Sequence, residues 1–165
     1  MTPGRNEVER KFLLGDPPPW LQSQPSKRIE QGYLAIGEDG VEVRVRRCEG
    51  ECTLTVKSAP GLVRVEEELP IDERRFEALW QLTPERRVVK TRYLVPLPDG
   101  LTAEVDDYAG DLAGLVTAEV EFPSEEASAT FVPHDWLGRE VTGDERYANR
   151  SLAVRGAPGR AAAAA

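Results

Sequence analysis

Residues 7–14 read EVERKFLL, and the alternation within them decides the fold. Successive side chains of an extended chain point to opposite faces, so Glu7, Glu9 and Lys11 fall on one side and Val8, Arg10 and Phe12 on the other. A helix would scatter these charges around its circumference. A strand gathers two carboxylates and an ammonium into one row and leaves Phe12 and Leu14 to pack behind them.

The same period of two recurs along the chain. It predicts strands over 6–14, 28–36, 41–48, 52–58, 62–70, 87–95, 101–108 and 116–122. IGEDG (36–40) and PLPDG (96–100) supply hairpin turns, with Asp39-Gly40 and Asp99-Gly100 the sharpest signals. Helical stretches are few. DERRFEALWQL (72–82) has Asp72 as N-cap and Phe76, Leu79 and Trp80 on one side; SEEASATFV (124–132) is capped by Ser124; DERYANRSLA (144–153) is the last. GDPPPWLQSQPS (15–26) reads as a loop, because its prolines break ladders and helices alike. The fold class expected is therefore mainly β (α+β), an antiparallel sheet with a few short helices.

At 165 residues, 40% hydrophobic and 30% charged, the chain suits one domain with a true core, taken as residues 1–155. The alanine-rich end, 156–165, reads as a disordered tail or an expression remnant. A formal net charge of -8 argues against nucleic acid or an anionic membrane as a general partner. No apolar run approaches the roughly 20 residues of a membrane span, and residues 1–14 lack the apolar core of a signal peptide. With Cys48 and Cys52 the only cysteines, a reduced, cytoplasmic setting is expected. His134 is the single histidine, which excludes a Ser-His triad and a histidine-rich metal site. A metal here would be held by carboxylates, favouring Mg²⁺, Mn²⁺ or Ca²⁺.

Collecting the charged face of every strand gives a constellation. It comprises Glu7, Glu9 and Lys11; Glu42, Arg44 and Arg46; Thr53, Thr55 and Lys57; Arg64, Glu66 and Glu68; Lys90 and Arg92; Glu104 and Asp106; Glu119 and Glu121. The opposite face is aliphatic and aromatic. An ordinary solvated sheet face explains alternation by itself. Against that reading, the charges come as doublets, the cations favour arginine, which grips phosphate in a bidentate manner, and basic and acidic strands are segregated. If the face closes on itself, basic strands could grip a polyanion while acidic strands hold a hard cation beside it, an arrangement suited to phosphoryl chemistry.

At this point the sequence resembles a known family. EVERKF matches the E-x-E-x-K signature of the CYTH superfamily, the triphosphate tunnel metalloenzymes. QGYL, EVRVR, LTVKS, RVEEEL, KTRY, AEVD, AEVEF and ERYANRSLA continue the resemblance in order over about residues 5–153. It is most similar to the short bacterial members, many of them inorganic triphosphatases. The resemblance implies an eight-stranded antiparallel closed β-barrel whose charged face lines a tunnel, with helices on its apolar outer face. It implies Lys11, Arg44, Arg46, Lys57, Lys90 and Arg92 as triphosphate-binding cations, with Arg64 serving phosphate or a structural pair. It also implies Glu7, Glu9, Glu119 and Glu121 as metal-binding carboxylates for Mg²⁺ or Mn²⁺, with Glu104 and Asp106 contributing. Glu66 and Glu68 are left between a second metal and a structural role.

For activation of the attacking water the resemblance implies Lys90 and Tyr33, either of which could instead be a plain phosphate ligand. The C-terminal segment would close one tunnel end, with Arg146, Tyr147 and Asn149 facing inward. The expected reaction is metal-dependent hydrolysis of inorganic triphosphate to pyrophosphate and phosphate. Cyclisation of ATP, hydrolysis of thiamine triphosphate, and non-catalytic binding of triphosphate or polyphosphate are the alternatives. The expected partner is a small triphosphate, with a homodimer also compatible.

Overall fold

The computed structural model describes residues 8–59 and 65–159. Glu7 and Arg64 lie outside the described residues, as does the stretch 62–64 of the fifth expected strand. Nine strands form one antiparallel sheet: β1 (Val8–Leu14), β2 (Ser26–Ile36), β3 (Glu42–Cys48), β4 (Glu51–Lys57), β5 (Glu66–Ile71), β6 (Arg87–Pro96), β7 (Thr102–Tyr108), β8 (Val116–Phe122) and β9 (Arg139–Glu140). Three helices accompany it: α1 (Glu73–Trp80), α2 (Glu125–Thr130) and α3 (Asn149–Arg155). None of these helices is long and apolar enough to cross a membrane.

The strands hydrogen-bond in the order β5-β4-β3-β2-β6-β7-β8-β1-β9. This corrects the expected closed eight-stranded barrel in two respects. A ninth strand of two residues pairs with β1 through Phe12–Glu140 and Leu13–Arg139. The order is also linear, and among the described residues no ladder joins β5 to β9. The sheet nevertheless curls. Tyr33 of β2, Val88 of β6 and Tyr108 of β7 share one buried cluster with Tyr147 and Leu152 from the C-terminal segment, and Leu13 of β1 packs against it. Strands far apart in the order can meet one cluster only if the sheet bends towards that face.

The turns that set the register behave as their residues require. At the β6–β7 hairpin Asp99 and Gly100 take φ of 62° and 72°, which places both central residues in the left-handed region. Between β2 and β3, Gly40 takes φ of 83°. A bulge at Tyr33–Ala35 lets β2 turn its course while keeping Tyr33 opposite Arg44.

The apolar face is covered as expected. Asp72 caps α1 by accepting from the Arg75 amide at 2.7 Å, and α1 buries Phe76 against Val45 and Cys52. Ser124 caps α2 through the Ala127 amide at 3.1 Å. Beyond α2, Phe131 meets Phe122 edge to face at 5.1 Å, and Trp136 meets Trp20 at 5.3 Å. Beneath them lie Phe12, Leu14, Val105, Ala118 and Val120, all buried. Arg10 clamps this face: it forms a two-point bond to Glu140 and donates to the carbonyls of Ser128 and Phe131 at 3.0 Å each. The last expected helix is divided, with a single turn at Glu145–Tyr147 preceding α3. Ala157, inside the presumed tail, packs against the Tyr33–Leu152 cluster.

Cys48 and Cys52 belong to opposite faces of the β3–β4 hairpin, since Cys52 sits with Phe76 under α1 while Cys48 shares the parity of Arg44 and Arg46. Burial, reinforced by Glu73, pushes the Cys52 thiol up to about 11, so it is an inert core group.

Gly138 joins Trp136 and Leu137 to β9 with φ of 73°, and a Cβ there would lie 2.3 Å from the carbonyl oxygen of Leu13. Gly138→Ala is expected to cost about 3 kcal/mol, from backbone strain and displacement of a β1 carbonyl together. Urea unfolding of the variant beside the parent protein measures it.

Candidate active site on the concave face

Opposite charges on the concave face are arranged by register. Lys11 of β1 stands opposite Glu119 of β8, which in turn stands opposite Glu104 of β7. Arg92 of β6 stands opposite Asp106 of β7, and Glu9 opposite Glu121. Two of these cross-strand pairs, Glu104–Glu119 and Glu9–Glu121, juxtapose like charges, which destabilises a sheet unless cations compensate.

The compensation is partly internal. Lys11 Nζ lies 3.0 Å from Glu119 and donates to the Tyr147 carbonyl at 2.7 Å. Arg92 pairs with Glu104 and grips Asp106 with two bonds of 2.7 and 2.8 Å. Lys90 Nζ donates at 2.7 Å to Asp106 Oδ2, an oxygen that also accepts from Arg92. Lys90 and Asp106 are 3% and 1% exposed, so this ion pair is shielded from water. Lys90 also reaches Asn149 Oδ1 at 3.4 Å and lies 5.3 Å from the centre of the Tyr108 ring.

Burial lowers the pKa of the Lys90 ammonium, with Asp106 pulling against that shift and Arg92 adding to it. For Asp106, burial favours the neutral acid, but the bonds from Arg92 and the charge of Lys90 prevail and hold the carboxyl below its ordinary range. Burial lifts the hydroxyls of Tyr33 and Tyr108 above the ordinary tyrosine range.

At the mouth of this wall, Glu9, Glu104, Glu119 and Glu121 line a cavity of about 460 Å³ together with Leu101 and Pro123. An all-carboxylate set matches a hard divalent cation in chemistry. Among the described residues, no three of these groups stand together at metal-ligating distance.

The other wall is different. In β3, Glu42, Arg44 and Arg46 point to the same face, and Glu42 Oε2, Arg44 Nε and Arg46 Nε are buried with no hydrogen-bond partner among the described residues. Lys57 of β4 lies 3.5 Å from Glu66, and Thr55 reaches Glu68 at 3.5 Å. Tyr33 stands opposite Arg44, and its hydroxyl accepts from Gln31 Nε2 at 2.8 Å.

The structure thus brings Lys11, Lys90, Arg92, Glu104, Asp106 and Glu119 into one paired network, and Glu9 and Glu121 to its acidic mouth. Arg44, Arg46, Lys57 and Tyr33 form the facing wall. Lys90 and Tyr33 have separate contacts, the first with Asp106 and Asn149, the second with Gln31. Of the C-terminal residues expected to face inward, Tyr147 and Asn149 do, whereas Arg146 is exposed and pairs with Asp144 at 2.6 Å. The sequence reading left out Gln31 and Tyr108. Both sit two residues from a named group, Tyr33 and Asp106 respectively, and strand parity alone would have found them.

Fold and site together define a protein whose curved antiparallel sheet gathers paired acidic and basic side chains on one concave face. No family model matches the chain. It is 47% identical over 149 residues to an inorganic triphosphatase of Nitrosomonas europaea, an alignment covering 90% of this chain and 97% of that protein. It is 41% identical over 150 residues to an inorganic triphosphatase of Acetivibrio thermocellus, covering 88% and 92%. The crystal structure of the inorganic triphosphatase NE1496 matches with a TM-score of 0.77 at 43% identity, covering 92% of this chain and 97% of that one. The chain belongs to the family of these bacterial inorganic triphosphatases.

Removing Asp106 would leave Lys90 as an uncompensated buried cation, so Asp106→Ala is expected to lose about 3–5 kcal/mol. Because the folded carboxyl titrates below the unfolded one, its contribution is present above the ordinary carboxylate range and is lost as pH falls through the lowered value. Denaturant midpoints at pH 7 and at about pH 3, below the ordinary carboxylate range, for parent and variant, check both: the gap between the two proteins narrows at the lower pH.

Proposed function

We propose that the protein hydrolyses inorganic triphosphate to pyrophosphate and phosphate on its concave face. The observation that carries this reading is the pair of buried arginine donors, Arg44 Nε and Arg46 Nε, that no acceptor among the described residues satisfies. Buried donors without acceptors are costly, and phosphate oxygens are the acceptors that a guanidinium pair fits best. The names of the relatives support the same substrate.

In this reading Arg44, Arg46 and Lys57 hold the polyphosphate from one wall, and Lys11 and Arg92 from the other. The curl of the sheet would let both walls reach one bound chain. Glu9, Glu104, Glu119 and Glu121 would hold Mg²⁺ or Mn²⁺, with Asp106 contributing. Such an ion would neutralise developing charge on the phosphate oxygens. Glu7 and Arg64 complete the sets named from the sequence.

A water attacks the terminal phosphorus, the bridging P–O bond breaks, and pyrophosphate leaves. Lys90, its ammonium destabilised by burial, is the group best placed to orient that water and take its proton, with Tyr33 across the face. Tyr33, Tyr108 and Tyr147 are buried within the cluster at one end, so they are not free platforms for a purine or a thiamine ring, which favours the inorganic substrate. A small triphosphate, a cytoplasmic location and no nucleic-acid or membrane partner accompany this reading, and a homodimer is compatible with it.

Phosphate release from inorganic triphosphate, ATP, thiamine triphosphate and long-chain polyphosphate, with Mg²⁺, with Mn²⁺ and with a chelator, is the test. Turnover strongest on inorganic triphosphate and abolished by the chelator is expected. Lys90→Ala should lower kcat by about 10²-fold or more while leaving the circular dichroism spectrum unchanged. Turnover of the variant near the parent rate would remove Lys90 from the proton-transfer role.

A further inference from the structure

The phenol of Tyr33 is 1% exposed and Gln31, two residues before it on the same face, is 4% exposed. The Gln31 amide nitrogen donates to the Tyr33 hydroxyl oxygen at 2.8 Å. Directly across the β2–β3 ladder stands Arg44, whose charge acts on the same phenol. A tyrosine hydroxyl has one proton and two lone pairs. Here the Gln31 amide N–H takes one lone pair and the Arg44 charge acts on the same oxygen, so neither competes for the hydroxyl proton, which is left for an acceptor on this wall, where the Glu42 carboxylate also acts on the phenol. Gly32, between the two side chains, holds β2 tightly against the loop after α1: a Cβ on it would lie 2.5 Å from Thr83 Oγ1. Gln31 and Tyr33 therefore share one rigid segment of strand.

We propose that Gln31 is a positioning residue that fixes the Tyr33 hydroxyl as a hydrogen-bond donor to a substrate oxygen. In this role Tyr33 does not accept a proton from water; it contributes a fixed donor beside Arg44, and the proton-accepting duty rests on Lys90. Gln31 touches no substrate and acts through Tyr33. The inference rests on the triphosphatase reading and deepens it, since it assigns a direction to one hydrogen bond in the same site.

A double-mutant cycle tests it. Gln31→Met keeps the side-chain length and removes the amide donor; Tyr33→Phe removes the hydroxyl. In the parent background Gln31→Met is expected to lower kcat/KM for inorganic triphosphate by about tenfold, the worth of one buried hydrogen bond. In the Tyr33→Phe background the same change is expected to cost less than about twofold, because the group it positions is gone. A merely structural role for Gln31 would give the tenfold loss in both backgrounds, and that result overturns the proposal. So does a Gln31→Met variant with parent activity. If Gln31→Met shows no cooperative thermal unfolding, Gln31→Asn, whose amide stops one methylene short of the phenol, takes its place with the same expectations. Calorimetric binding of inorganic triphosphate to the parent protein separates this from failure of the function itself. Binding without turnover moves the cycle to Kd with the same two expectations and overturns only the hydrolase reading; no binding and no turnover overturns both.

Discussion

Asp106 carries the heaviest electrostatic duty in the molecule. It is almost wholly buried, yet it accepts two bonds from Arg92 and one from Lys90. Desolvating three charges costs several kcal/mol each, and mutual attraction offsets this only where geometry and hydrogen bonding are both good. The offset is obtained by extending the pairing outward: Arg92 also meets Glu104, which faces Glu119 across the ladder, and Glu119 is held by Lys11. The result is a run of charge across β6, β7, β8 and β1 that alternates in sign except at its middle, where Glu104 and Glu119 meet as like charges flanked by Arg92 and Lys11. Every member depends on strand register, because a slip of one residue would move the whole set to the apolar face.

That dependence explains how the C-terminal segment earns its place in the fold. Lys11 donates to the Tyr147 carbonyl, and Lys90 reaches Asn149, whose Oδ1 also lies 3.3 Å from the Tyr108 hydroxyl. Tyr147 and Leu152 are buried against Tyr33 and Val88. The segment therefore supplies both polar acceptors for the two lysines and the apolar mass that closes one end of the concave face. Water is excluded from the Lys90–Asp106 pair by this packing, and exclusion of water is what lowers the pKa of the Lys90 ammonium.

The legible part of this fold was the part governed by period two. All eight expected strands are present, apart from the portion at 62–64 that lies outside the described residues, and Asp72 and Ser124 cap the helices they were read to cap. The ninth strand was not legible, because Arg139–Glu140 is too short to show any period and exists only through its pairing with Phe12 and Leu13. Closure was not legible either: alternation says which face a residue takes, but whether two distant edges meet depends on accumulated twist and on masses such as Tyr147 and Leu152. Within the site, parity placed Lys90, Arg92, Glu104 and Asp106 on one face, but it could not tell that Lys90 would be committed to Asp106 and Asn149 rather than to Tyr33. Side-chain partners depend on stagger between strands, which a single sequence does not display.

The stagger also divides the concave face into two walls of unlike character. On β6, β7, β8 and β1 the cations are paired with carboxylates of the protein. On β3, Arg44 and Arg46 keep buried donors with no acceptor among the described residues. Under the proposed reading, a polyanion on this face would gain most against the β3 wall, where no ion pair of Arg44 or Arg46 among the described residues must be broken, and less against the paired wall, where it would compete with Glu104, Asp106 and Glu119 for the same cations. Competition of this kind would act as a filter: a singly charged anion is a poor rival for a buried, hydrogen-bonded carboxylate, whereas a triphosphate presents several oxygens at once and would engage Arg44 and Arg46 before it met the paired cations. Selectivity for a highly charged chain over a single phosphate would then follow from where the protein places its own carboxylates.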